Sequence, residues 1–192
     1  MKTLFLLTFL VLFTSCSSPV PKNEPAYKGT DPRLQEYKDE FMELAVVRGI
    51  VFNRDVTMGF ANTQSDASGG VIGICTYGHR WREIDIDEKF FKSRGYLQTK
   101  ALIFHELTHC YCNRNHTYGS KTRIQYPDGI FEKIIEKLRT EIDETEIPET
   151  ERPYFEDGCA RTLMHPVVVS STCMFNHYDH YVDEMFNNCR VW

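Results

Sequence analysis

From Tyr96 to Asn115 no proline or glycine interrupts the chain, and Leu97, Ala101, Leu102, Phe104 and Leu107 give the stretch the apolar content of a buried helix. Inside it lies His105-Glu106-Leu107-Thr108-His109. Residues four apart share one face of an α-helix, so His105 and His109 can aim their imidazoles at a single metal ion. Glu106 stands about 100° around the helix from His105, where its carboxylate can reach a water on that metal without being a ligand itself.

A third ligand has to come from beyond the helix. His116 lies seven residues past His109; on a continued helix it would stand roughly 16 Å along the axis from His105. The helix must therefore stop and the chain double back, and Asn113 and Asn115 are of the residue type that tolerates the left-handed turn this needs. A neutral His116 would complete the three-ligand, open-position arrangement of a catalytic zinc site, with one Zn2+ as cofactor. The plainer reading is a histidine of a surface loop.

The ends of the chain bear on where such a site works. Residues 1–15 read as a signal peptide: Lys2 is a short positive start, Thr3–Phe13 is almost wholly apolar, and small residues precede Cys16. The run is too short to span a bilayer as a permanent helix. Phe13-Thr14-Ser15-Cys16 resembles a bacterial lipobox, with Phe in place of the usual Leu, which implies a lipid on Cys16; the alternative is a secreted protein cut nearby. Ser17 after the cysteine resembles the outer-membrane default, so the expected location is the cell envelope, on the periplasmic face of the outer membrane. Residues 16–30, with Pro19, Pro21 and Pro25, read as an extended tether, leaving 31–192 as one domain.

Seven cysteines less Cys16 leave six: Cys75, Cys110, Cys112, Cys159, Cys173 and Cys189. An even number in an exported chain reads as disulfides. The pairing is open, except that Cys110 and Cys112 are about 200° apart on the helix and should bond two different partners. A cysteine zinc site is the competing reading, although no CxxC pair exists. The formal net charge is −5, or −6 without Lys2, and no basic cluster occurs, so nothing points to nucleic acid.

Elsewhere Asp31-Pro32 opens a helix carrying Leu34, Tyr37, Phe41, Leu44 and Ala45, and Gly49 closes it. Ile50–Phe52 and Val56–Phe60 read as short strands and Asn62–Gly70 as a loop. Val71–Tyr77 and Trp81–Ile86 form a hairpin turning at Gly78-His79, its second strand alternating as if half-buried. Phe90 and Phe91 begin a short linking helix. Ile130–Leu138 has helical periodicity, while Glu141–Glu151 reads as an acidic surface loop without the spacing of a calcium-binding EF-hand. A final amphipathic helix spans His177–Phe186.

HELTHCYCNRNH, with Arg161-Thr-Leu-Met-His-Pro166 downstream, resembles the metzincin clan of zinc endopeptidases, in which HExxHxxGxxH is followed by a tight turn carrying a methionine beneath the metal. From about Gly70 onward the chain is also similar to a group of small bacterial and phage lipoproteins classed as metallopeptidases. The resemblance implies an α+β, zincin-like (metzincin-type) single catalytic domain with a small mixed sheet, an active-site helix and disulfides. It makes Met164 the Met-turn residue, leaves His165 out of the ligands, and lets a peptide pair with the edge of the hairpin. It also suggests Tyr178 or Tyr181 as a donor to the developing oxyanion; the plainer role for both is core packing. Two departures stand out: Cys112 occupies the glycine position, and the third histidine comes one residue late.

The expected activity is zinc-dependent hydrolysis of a peptide or protein substrate, with Glu106 as general base, by an enzyme bound to the membrane through its N-terminal lipid. Two rivals stay open. One is a zincin whose third ligand is a downstream carboxylate, Glu132, Glu136 or Glu141. The other is a non-enzymatic, partner-binding lipoprotein with a vestigial metal site.

Overall fold

In a computed structural model the described residues are 24–62, 71–117, 153–187 and 189–191. The expected signal peptide, Cys16, most of the loop 62–70, the periodic stretch 130–138 with Glu132 and Glu136, and the acidic run 141–151 with Glu141 lie outside them. The order is α1 (Pro32–Val47), β1 (Thr57–Ala61), β2 (Gly73–Tyr77), β3 (Arg82–Asp87), α2 (Glu88–Ser93), α3 (Tyr96–Cys112), α4 (Ser171–Asn176) and α5 (Tyr178–Asn187).

A mixed α+β arrangement results, with a three-stranded sheet in the order β1-β3-β2. β1 runs parallel to β3, from Thr57 opposite Glu83 to Ala61 opposite Asp87. β2 is antiparallel to it, from Gly73 opposite Ile86 to Tyr77 opposite Arg82. These last two are the expected hairpin, closed where the Gly78 N–H donates to the Trp81 carbonyl at 2.9 Å.

Local chemistry sets the element ends. Asp31 caps α1 by accepting the Arg33 N–H at 2.9 Å, with Pro32 in the first turn. Gly49, at φ +73°, takes the left-handed position just past its end. Ile50–Phe52 form no strand; Ile50 and Phe52 pack against the core, Phe52 with its ring 4.5 Å from that of Tyr111, while Val51 between them is exposed. The expected final helix is α5, shifted by one residue at each end, and a separate short helix, α4, precedes it across His177. Ser170 caps α4 through the Cys173 N–H at 3.1 Å.

The alternation in β3 predicts one wet face, and that face is covered. Ile84 and Ile86 enter the core, but Glu83 and Asp87 are buried as well. Asp87 caps α2 through the Phe90 N–H at 2.7 Å, and residues 26–30, expected to belong to the tether, cover the face at Glu83 and Asp85. The Ala26 N–H donates to Glu83 at 2.6 Å and the Tyr27 hydroxyl to Asp85 at 2.5 Å. Gly59 makes this possible, because a Cβ there would come within 2.2 Å of the Tyr27 ring. Asp31 then donates to the Met58 carbonyl at 2.8 Å. The chain is thus fastened to the sheet from Ala26, not from residue 31.

α3 runs through the centre, buried without a break from Thr99 to Thr108. Phe41 of α1 meets Phe104 and Tyr111 of α3 and Phe186 of α5, with centroids 5.7, 5.9 and 5.0 Å away. Each such ring stabilises the fold by roughly 1.5–3 kcal/mol through burial, so the helix axis is hard to move. Disulfides fasten its far end. Cys75–Cys110 joins β2 to α3, Cys112–Cys189 joins α3 to the C-terminal segment, and Cys159–Cys173 closes a smaller loop. Cys110 and Cys112 do bond different partners. Among the described residues no helix is long and apolar enough to cross a membrane.

Peptide mapping without reduction should recover these three bridges and no free thiol among the six cysteines. Replacing Cys112 and Cys189 by serine should lower stability by about 2–5 kcal/mol in urea unfolding. A Cys110–Cys189 bridge would contradict the way α3 is held.

Candidate metal centre

The site begins where α3 ends. Cys112 is its last residue, and Asn113 follows in the left-handed conformation at φ 52°, ψ 39°. Asn113 is the one non-glycine residue with positive φ among the described residues. Its side chain and the Cys110 carbonyl both accept from the Arg82 guanidinium, which caps the helix from β3. Three residues later His116 returns to the helix. In HExxHxxGxxH the glycine likewise precedes the third histidine by three. Counted against that pattern, the turn residue and the third histidine are displaced together by one residue, so the two departures are one shift. Cys112 stays helical with its sulfur bonded to Cys189 and its carbonyl accepting the Arg190 N–H at 3.0 Å.

His105, His109 and His116 converge. The Nε2 atoms of His105 and His109 are 2.9 Å apart, and those of His105 and His116 are 3.0 Å apart. His105 donates from Nδ1 to the Leu163 carbonyl at 2.7 Å, and His109 from Nδ1 to the Arg114 carbonyl. A carbonyl oxygen can only accept, so both Nδ1 atoms carry the proton and both Nε2 atoms present a lone pair. Burial, with help from the neighbouring His109, holds His105 well below the usual histidine range. Burial likewise pushes His109 down to about 4.

The facing Nε2 lone pairs of His105 and His109 repel at this distance, and a cation between them would relieve that. Nitrogens bound to one tetrahedral zinc are about 3.3 Å apart, so a few tenths of an ångström of ring movement would admit the ion. The donor set suits it. Among the described residues the other close trio of ligating side chains is Asp157, Cys159 and His177. There Cys159 is spent in a disulfide and His177 pairs with Asp157 at 2.8 Å.

Leu163-Met164 reaches both His105 and the loop that bears His116. Met164 is fully buried. Its N–H donates to the Thr162 hydroxyl at 3.0 Å, and its carbonyl accepts the Thr117 N–H at 2.9 Å, next to His116. The preceding carbonyl is the one that orients His105. One turn therefore steadies His105 and the loop bearing His116. His165 is outside the trio and bonds the Val167 N–H at 3.1 Å and the Tyr154 hydroxyl at 3.3 Å. Arg114 secures the loop from the other side, reaching the Glu184 carbonyl at 2.7 Å and the Glu184 carboxylate.

Glu106 is 5% exposed. Burial pushes its carboxyl up to about 8, opposed by a hydrogen bond from the Cys75 N–H of β2. The two tyrosines are occupied elsewhere. Tyr181 is fully buried and donates to the Ala160 carbonyl at 2.6 Å. Tyr178 donates to Glu40 at 2.8 Å, and Glu40 also holds Lys100 at 2.7 Å, five residues before His105. The structure does not bring either hydroxyl to the histidines. What the sequence left unseen is mostly backbone: the carbonyls of Leu163 and Arg114 and the N–H of Cys75 carry no side-chain signal. Arg82 and Arg114 gave none beyond their charge.

His116→Ala should weaken zinc binding by more than about a hundredfold, the upper range for loss of a mere outer partner. Asn115→Ala and His165→Ala should leave it nearly unchanged. Competition with a chromophoric chelator measures this; wild-type affinity in His116→Ala would remove that residue from the ligands.

Comparison with known proteins adds no relative: no family profile, no curated protein and no solved structure matches the chain.

Proposed function

We propose that this chain is a zinc endopeptidase with a zincin-like, metzincin-type fold, held at the cell envelope by a lipid on Cys16. The observation that carries the reading is the convergence of three Nε2 atoms with a buried carboxylate on the adjacent helix position. A module that only binds a partner has no use for Glu106 in that place.

When bound, zinc supplies a water acidified toward neutrality and a Lewis acid for the oxygen of a peptide carbonyl. The chain's own residues do the rest. His105, His109 and His116 hold the ion, and the Leu163 and Arg114 carbonyls fix the first two rings in the tautomer that presents Nε2. Glu106 accepts a proton on its carboxylate as water attacks, then delivers it to the leaving amine. Its burial raises its proton affinity, a dication beside it lowers it again, and the balance favours a base working near neutral pH.

Substrate placement follows from the sheet. Among the described strands β2 pairs only with β3, so an extended peptide could add to its outer edge wherever Glu106 does not already take the backbone. The Cys75 N–H on that strand already reaches Glu106, so a peptide along the edge passes close to the base.

Glu106→Gln should keep about one zinc per chain and lose roughly 10²–10⁴-fold or more of its hydrolysis of unfolded casein. Wild-type activity should vanish with a chelator and return with zinc. Full activity in Glu106→Gln would defeat the assignment.

A further inference from the structure

Strand β2 runs so close to α3 that residue 73 has no room for a side chain. A Cβ on Gly73 would lie 2.8 Å from Glu106 Oε1, 2.9 Å from Glu106 Cγ and 2.9 Å from Leu102 Cδ1. The backbone does not ask for glycine here, since the positive-φ glycines among the described residues are Gly49 and Gly158. The missing side chain is itself the requirement. Of the two neighbours, Leu102 is sealed in the core at 1% exposed, so the Glu106 carboxylate is the group that would yield.

Two residues on, on the same face of the strand, Cys75 gives its N–H to that carboxylate. The Cys75–Cys110 disulfide ties this point of β2 to the next turn of the helix that carries Glu106. The carboxylate thus lies in a cradle with a floor at residue 73, a donor at residue 75 and a covalent strut.

We propose that Gly73 is a positioning residue for Glu106: the absent side chain at 73 and the bridged Cys75 N–H together fix where the carboxylate stands relative to the ligand histidines. The inference rests on Glu106 being the proton acceptor of the reaction proposed above. A misplacement of about 1 Å at a reacting group can cost on the order of a hundredfold in rate without touching substrate or metal binding.

The test compares zinc-loaded wild type, Gly73→Ala, Gly73→Val, Glu106→Asp and the Gly73→Ala/Glu106→Asp double variant. Bound zinc, crystal structures, and kcat and KM on one peptide found among the casein products are measured. In Gly73→Ala zinc should stay at about one per chain and KM within about twofold, while kcat falls roughly a hundredfold. The crystal structure should show the carboxylate turned away from the Cys75 N–H. Aspartate withdraws the carboxylate by about one bond, ~1.5 Å, so adding Gly73→Ala to Glu106→Asp should cost little more. A merely structural role would make the two losses multiply. A carboxylate left in place with kcat unchanged in Gly73→Ala, or multiplied losses in the double variant, overturns the proposal. If valine prevents folding, alanine decides alone. If wild type cleaves nothing, the proposed reaction fails, and the crystal structures still decide whether residue 73 places the carboxylate.

Discussion

The Nδ1–H groups of His105 and His109 are each committed to a backbone carbonyl, Leu163 and Arg114, and this commitment governs the centre of the molecule. With Nδ1 protonated, burial keeps the rings neutral and the Nε2 lone pairs point at one another. Such a cluster costs free energy by itself. A cation shared among the lone pairs, as in the zinc site we propose, would offset that cost.

Each element contributes to that. α3 is wedged between α1, α4 and the sheet, with Phe41 of α1 against its Phe104 and Tyr111, so the spacing of His105, Glu106 and His109 is set by a helix held on several sides. The turn at Leu163-Met164 supplies one carbonyl to His105 and the next to Thr117. Arg82 closes the end of the helix and Arg114 anchors the returning loop to α5. Two of the three disulfides meet the last turn of α3, one from each side. Covalent struts at that point suit a small domain whose three-stranded sheet supplies only part of a core.

How much of this could be read from residues alone depends on the kind of information involved. His105, Glu106 and His109 were legible because helical spacing turns a pentapeptide into a face. Asn113 was legible because few residue types accept a left-handed turn, and the disulfides because six exported cysteines make an even count. The pairing was not, since it depends on which strand lies beside α3. Nor was the burial of Glu83, which needs Ala26 and Tyr27, more than fifty residues earlier, to lie across β3. Tyr178 shows the limit most clearly. The family resemblance suggests a part in catalysis for it, yet Glu40 on α1 claims its hydroxyl. Periodicity says which face a residue occupies and nothing about which distant group meets it there.

X-ray absorption at the zinc edge, on protein loaded with one equivalent of zinc, tests the central claim most directly. Three histidines and a water predict a shell of four nitrogen and oxygen scatterers at about 2.0–2.1 Å, with the multiple scattering of imidazole and no sulfur. Sulfur at about 2.3 Å would place the metal on cysteines, and a shell with the signature of fewer than three imidazoles would remove His116 from the site.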